Sequence, residues 1–295
     1  MVRRTSRVPA SARVARRALL GGLAVLSLAG FRSLEGLFAP DSEPWPRWEG
    51  HDPNSGQRLD WNRYGAWLAR NVVADADGVN RVDYGAIAAG DRAELAAMIE
   101  GLQEIRVGAV NRDQQFAYWA NLYNAVTLKV VLDHYPVASI RDIDLGGGLF
   151  GGGPWSADLV MVEGVALSLN DIEHRILRPI WQDPRVHYAV NCAAVGCPNL
   201  RTAAWQAETL DRDLDAAARA FVNHPRGVRP SSVGSEAGLT VSKIYDWFAE
   251  DFGGDEASIL AHLRRYAEGE TAALLAAHGE IVGTAYDWSL NDIRS

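Results

Sequence analysis

Several absences narrow what this chain can be. Of its 295 residues only two are cysteine, and both fall inside "HYAVNCAAVGCPNL" (187–200). No apolar run reaches the roughly twenty residues a membrane-spanning helix needs. Residues 1–32 hold seven arginines and no acid; with these set aside, 22 basic against 37 acidic residues leave the remainder at −15. A body that acidic, without a basic stripe, repels phosphate backbones and excludes nucleic acid as a partner. The six glycines of "GGGLFGGGPW" (146–155) are followed by no Lys-Ser/Thr pair and no helix, which excludes a phosphate cradle. The segment reads instead as a mobile loop or lid. No internal repeat is present.

What is present begins with an address. Arg16-Arg17 leads into "ALLGGLAVLSLAG" (18–30), a basic stretch and a short apolar core of signal-peptide form. Ser27 and Ala29 supply small residues for cleavage after Ala29, and "ARRALLGG" has the look of a twin-arginine export signal. No cysteine follows the run, so a lipoprotein anchor is excluded. The expectation is a signal peptide over 1–29 and an exported protein, periplasmic or extracellular. Its membrane contact would be limited to residues 18–30, were that segment left uncleaved as an anchor. Residues 30–56, rich in Pro, Gly and charge, read as a linker or wrapping arm, and 57–295 as a single domain.

Hydrophobic content of 48% and charged content of 22% are globular values, and ten tryptophans suit a large aromatic core. Helical spacing marks "DWNRYGAWLARNVV" and "DRAELAAMIEGLQEI" within 60–105. "NRDQQFAYWANLYNAVTLKVVLDHYP" (111–136) has Asn111 as N-cap and Pro136 as stop, and is apolar almost all round, as a central buried helix would be. Residues 159–169 read as a β-hairpin turning at Glu163-Gly164. Residues 170–179 read as a short helix capped by Asn170, with Glu173 closing the capping box. Residues 185–190 read as a strand, 226–238 as a loop, and "SKIYDWFAEDF" as a helix with Lys243, Asp246 and Glu250 on a solvated, salt-bridged face. The class is α+β: a helix-rich single domain whose central buried helix packs on a small, mostly antiparallel sheet.

"VDYGAI" (82–87), "FAYWANLYNAVTLKVVL" (116–132), "LSLNDIEHRILRP" (167–179), "DPRVHYAVNCAAVGCPNL" (183–200), "LTVSKIYDWFAEDF" (239–252) and "YDWSLN" (286–291) occur in this order. Together they resemble the domain of unknown function 547 family, across about residues 60–292. The chain departs from that pattern at Ala194, where serine is common, and at Ala120, where isoleucine is usual. The resemblance implies one domain and points to the Asn, His and Cys positions, but brings no settled reaction with it.

Cys192 and Cys197 admit four readings. A disulfide fits a short glycine-bearing loop in an oxidising compartment. A zinc clip with His187 or His174 has weak ligand spacing. A nucleophilic Cys192 would take His187 as base and Asn191, Asn121 or Asn124 as orienter. Inert buried thiols are the fourth. On the 111–136 helix Asn121 and Asn124 either pin backbone or face a pocket, and Trp119 and Tyr123 beside them join Glu173 and His174 as binding candidates. No cofactor and no metal is implied. The expected function is an exported thiol/histidine-dependent hydrolase or transferase acting on a small molecule or peptide. The alternative is a non-catalytic binding or scaffold domain with a structural or redox Cys192–Cys197 disulfide.

Overall fold

The computed structural model describes residues 40–145, 153–233 and 236–294. The expected signal, its cleavage point and the glycine run 146–152 lie outside them. The fold is α+β, with helices predominating over three small sheets. Among the described residues no helix is long and apolar enough to cross a membrane.

The helices the sequence marks by period are present. α1 (Asn62–Asn71) buries Tyr64, Trp67 and Leu68, spaced on one face, and α2 (Ala89–Gln103) buries Leu95 and Ile99. The Trp67 indole N–H donates to the Asp91 carbonyl at 2.8 Å, tying the two together. Between them, where a plain connection is expected, β1 (Val72–Ala74) and β2 (Asn80–Val82) pair as a short antiparallel hairpin. α3 (Arg112–His134) starts where Asn111 accepts the Gln114 N–H at 3.0 Å, and is buried from Gln114 to Leu128 without a break. A helix apolar all round must be covered on every side. The chief neighbours of α3 are α2 and the segment 171–177, so it packs among helices rather than on a sheet as expected.

β3 (Val160–Val162) and β4 (Val165–Leu167) form the expected hairpin. Glu163 and Gly164 both have positive φ, 48° and 76°, as the tight two-residue turn requires. The next segment differs from its reading. Ser168 and Asp171, not Asn170 and Glu173, make the reciprocal cap: Asp171 N–H donates to Ser168 Oγ at 3.1 Å and Ser168 N–H to Asp171 Oδ2 at 3.0 Å. Asn170 is already helical (φ −60°, ψ −40°). Residues Asp171–Leu177 are wound as a π-helix, which continues into α4 (Arg178–Trp181) with Pro179 inside it.

Residues 185–190 are not a strand. α5 (Val186–Ala189) is a single helical turn whose four side chains are all buried. Val186 and Ala189 pack into the apolar cluster around α3, Tyr188 into a second cluster beyond it. α6 (Leu210–Val222), α7 (Ile244–Trp247), α8 (Glu256–Tyr266) and α9 (Gly269–Ala277) contribute to that second cluster. With them is a mixed three-stranded sheet, β5 (Val228–Val233), β6 (Glu236–Ser242) and β7 (Ile281–Ala285). β5 pairs antiparallel with β6, and β6 parallel with β7. β5 lies where a loop is expected, and Asp246, read as a solvated acid, is fully buried.

Residues 40–48 run against the π-helix. The N–H groups of Glu43 and Trp45 donate to the carbonyls of His174 and Arg175 at 3.0 and 3.1 Å. Pro179 has no N–H to return to a carbonyl one turn earlier, and the arm donates to two carbonyls of that turn. The arm thereby fixes the one irregular helix that faces the cleft described next.

Candidate functional site: a disulfide in an aromatic cleft

A cleft of about 540 Å³ opens along the seam between the two apolar clusters. Its lining includes Tyr123 from α3, Glu173 and His174 from the π-helix, His187 from α5, both cysteines, and the rings of Trp155, Trp247, Phe248, Tyr286 and Trp288.

The cysteine loop is assembled by amides. Asn124 donates to the Ala189 carbonyl at 2.9 Å and accepts the Asn191 N–H at 2.8 Å, fixing the exit of α5 against α3. Asn191 then donates to the Pro198 carbonyl at 2.7 Å and accepts the Ala193 N–H at 2.8 Å, drawing the two ends of the loop together. The half-buried Arg226 guanidinium donates to the carbonyls of Val195 and Cys197 at 2.9 and 2.8 Å. Gly196 lies flat on the backbone of Asp287, and a Cβ there would come within 2.7 Å of the Asp287 nitrogen. Only glycine fits between the cysteines at that point. So held, Cys192 and Cys197 form a disulfide, with Cα atoms 6.5 Å apart.

The two sulfurs differ in setting. Cys192 is half-buried and Cys197 buried. The Cys197 sulfur accepts the Cys192 N–H at 3.1 Å, and the Tyr286 hydroxyl stands 2.9 Å from it and 3.1 Å from the Cys192 sulfur. Burial, reinforced by the Glu173 charge, pushes the Tyr286 hydroxyl far above its usual range, so it remains a donor.

Behind the disulfide lies an ionic layer. His187 stacks flat on Phe248, with centroids 4.3 Å apart and planes at 11°. Its Nε2 meets Asp251 Oδ2 at 2.6 Å and its Nδ1 faces Glu173 Oε1 at 3.6 Å. Burial would lower the imidazole, but the Asp251 and Glu173 carboxylates outweigh it and raise it above the ordinary histidine value. Burial would raise both carboxyls too. The neighbouring His174, His187 and Arg178 hold Glu173 at about 2, and His187 with Arg178 hold Asp251 at about 2. His174 is itself pushed down to about 4 by burial, so near neutrality His187 and Arg178 carry the effect on Glu173. Arg178 donates to Asp251, Glu250 and the Pro40 carbonyl at 2.6, 2.6 and 2.7 Å, and to His174 Nδ1 at 3.1 Å. Because arginine only donates, His174 Nδ1 must accept, which leaves a neutral imidazole protonated at Nε2.

Of the residues singled out in the sequence, Cys192, His187, Tyr123, Glu173 and His174 meet at the cleft. Asn191, Asn121, Asn124 and Trp119 do not line it. Asn121 holds Trp205 through its N–H and carbonyl, both at 2.9 Å. Trp119 is buried edge-on against Trp48. Glu173 and His174, adjacent in sequence, both reach the cleft from the π-helix. Tyr286, Asp251 and Arg178 were missed. Tyr286 and Asp251 sit inside the quoted motifs "YDWSLN" and "FAEDF", and Arg178 inside "RILRP", so the signal was a motif without an assigned role. Among the described residues, no group of three or more His, Cys, Asp or Glu is placed to hold a metal ion.

Residues 107–222 match the family described as "Protein of unknown function, DUF547". The resemblance read from the motifs is borne out over that segment. No curated protein and no solved structure matches the chain. The DUF547 segment contains Tyr123, Glu173, His174, His187 and both cysteines. The residues that finish the cleft, Trp247, Phe248, Asp251, Tyr286 and Trp288, lie beyond it.

The ionic layer has a measurable consequence. Glu173 and Asp251 contribute stability that is present above about pH 4.5 and lost as pH falls toward 2. His187 contributes below its ordinary value of 6.5 and loses its share as pH rises through its raised folded value. His187→Gln leaves two buried carboxylates short of a cation, and should cost about 3 kcal/mol in urea unfolding at pH 7. The gap from wild type should narrow as pH falls from 4.5 to 2. Equal stability of the two proteins at pH 7 would show that the layer is not an ion pair.

Proposed function

We propose that the cleft is a thiol–disulfide exchange site, a transfer of sulfur bonding and of two electrons rather than a hydrolysis. The single observation that carries it is the placement of the Cys192–Cys197 disulfide as a cleft wall, with one sulfur reachable and the other surrounded by donors. Five residues of sequence separation close a small loop. Such a loop contributes only on the order of 2 kcal/mol to stability, so its location argues for chemistry over bracing. A hydrolase using Cys192 and His187 is less well supported. The Cys192 sulfur is already bonded, and both nitrogens of His187 face carboxylates.

The step balances as follows. A substrate thiolate attacks Cys192 Sγ; the protein S–S bond breaks, and Cys197 Sγ leaves as a thiolate. The Cys192 N–H and the Tyr286 O–H already point at that sulfur, so the charge develops where donors stand ready. A second substrate thiolate attacks the substrate sulfur of the mixed disulfide; the bond to Cys192 breaks and Cys192 leaves as a thiolate. The two substrates depart joined by a new S–S bond, and both protein thiolates take up protons. Two thiols have lost two electrons and two protons, and the protein has gained them. An extracytoplasmic setting supports this reading, because disulfides persist there and residues 1–30 have the form of an export signal. Protein recovered from its native compartment should then lack residues 1–29 by intact mass; retention of Met1 would contradict the cleavage.

Cys197→Ala should leave a Cys192 thiol that captures glutathione from its oxidised form, adding one glutathionyl group by intact mass. Cys192→Ala, with only the buried Cys197, should do so at least about tenfold more slowly. Equal reactivity of the two variants, or a wild-type disulfide that reduces only after unfolding in urea, would make the bond structural.

A further inference from the structure

Four of the rings lining the cleft touch one another. Trp288 lies 4.7 Å from Tyr286, 5.6 Å from Trp247 and 5.9 Å from Trp155, and Trp247 lies 4.9 Å from Tyr286, centroid to centroid. None is parallel to its neighbour, so together they present differently inclined faces, as a cage does. Two of these rings already hold a cation. The Arg141 guanidinium stands 5.1 Å over Trp288 and the Lys243 ammonium 6.0 Å from Trp247. The cage connects to the acid on the cleft floor. Tyr123, Trp155, Tyr286 and Glu173 line the same cleft, and burial together with the Glu173 charge raises both tyrosine hydroxyls well above their usual range.

We infer that the cleft seats an alkylammonium group between this aromatic box and the Glu173 carboxylate, so that the thiol substrate is a cationic one, an aminothiol or a peptide cysteine beside a lysine. The assignment of the substrate rests on the exchange reading; the cation seat does not. Aromatic faces attract cations through their negative quadrupole, and the attraction strengthens as water is removed. The sign of the floor decides between cation and anion. Glu173 is buried, at 7% exposure. The nearest imidazolium, His187, sits closer to Asp251 (2.6 Å) than to Glu173 (3.6 Å). Arg178 is taken up by Asp251 and Glu250. His174 is neutral, since Arg178 donates to its Nδ1. Arg141 also lines the cleft but is exposed. A solvated charge acts through a dielectric several times higher than a buried one and is screened by salt. The buried carboxylate therefore outweighs the exposed Arg141 at the cleft floor.

Choline and its uncharged isostere 3,3-dimethyl-1-butanol separate charge from shape. Titrated into the oxidised full chain and followed by tryptophan fluorescence, choline should bind at least tenfold more tightly than the alcohol. Glu173→Gln, checked for folding by thermal melting, should lose that preference. Should that variant not fold, Trp288→Leu serves in its place, with a loss of choline affinity of at least fivefold expected. Thiocholine should reduce the disulfide at least tenfold faster than 2-mercaptoethanol at equal thiolate concentration. Equal binding of choline and the alcohol, or a folded variant with wild-type choline affinity, overturns the cation seat. Choline binding without a rate preference for thiocholine overturns the substrate assignment. Choline binding with neither thiol reacting leaves the seat standing and overturns the exchange reading alone.

Discussion

One side-chain amide connects the core to the chemistry. Asn124, buried in the middle of α3, satisfies the Ala189 carbonyl and the Asn191 N–H at once. Those two groups mark the point where the chain leaves α5 and enters the cysteine loop. Without that clamp the Asn191 side chain has no fixed origin from which to reach Pro198 and Ala193. The loop could then bring its two sulfurs together only by chance. A buried backbone group left unpaired costs about 1–3 kcal/mol, so the amide is forced on the fold as much as on the site. The disulfide is thus set by a long buried helix, which lets a reactive bond face one way.

The ionic layer behind it solves a different problem. Ionised carboxylates cannot be buried unless they are paired and hydrogen-bonded. Glu173 and Asp251 share one imidazole, and Arg178 completes Asp251 and reaches Glu250. Phe248 packs against both the imidazole and the guanidinium, 4.3 Å from the one and 4.8 Å from the other, so its ring shields the pair from water. The π-helix is part of this arrangement. Both Glu173 and His174 reach the cleft from it, and the 40–48 arm bonds to its carbonyls.

Much of the frame was legible because local rules decide it. The Asn111 cap, the Glu163-Gly164 turn and the unbroken apolar surface of α3 follow from short-range preferences. The failures came where tertiary contact overrides pattern. Val186, Tyr188 and Val190 alternate as a strand would, but every side chain of that turn is buried between two clusters, so alternation carries no information. Pro230, Ser231 and Ser232 fall in a segment that reads as a loop; they stand on β5, the edge strand of its sheet, where proline is tolerated. The cleft was half legible. The cysteines, His187, Glu173 and His174 announce themselves by residue type. Among the acids of "YDWFAEDF", type alone could not say that Asp251 meets the imidazole while Glu250 stays at the rim. Tyr286 lies 89 residues from Cys197, and only folding brings its hydroxyl to the sulfurs.

The central claim is that this disulfide is built to be exchanged. Its reduction potential, measured by equilibrating the folded chain with glutathione buffers of stepped ratio and counting free thiols by mass, tests that directly. With a reachable Cys192 and a stabilised Cys197 thiolate, the account predicts a value of about −270 mV or higher, among proteins that trade disulfides. A value below about −300 mV, where structural disulfides lie, would contradict it.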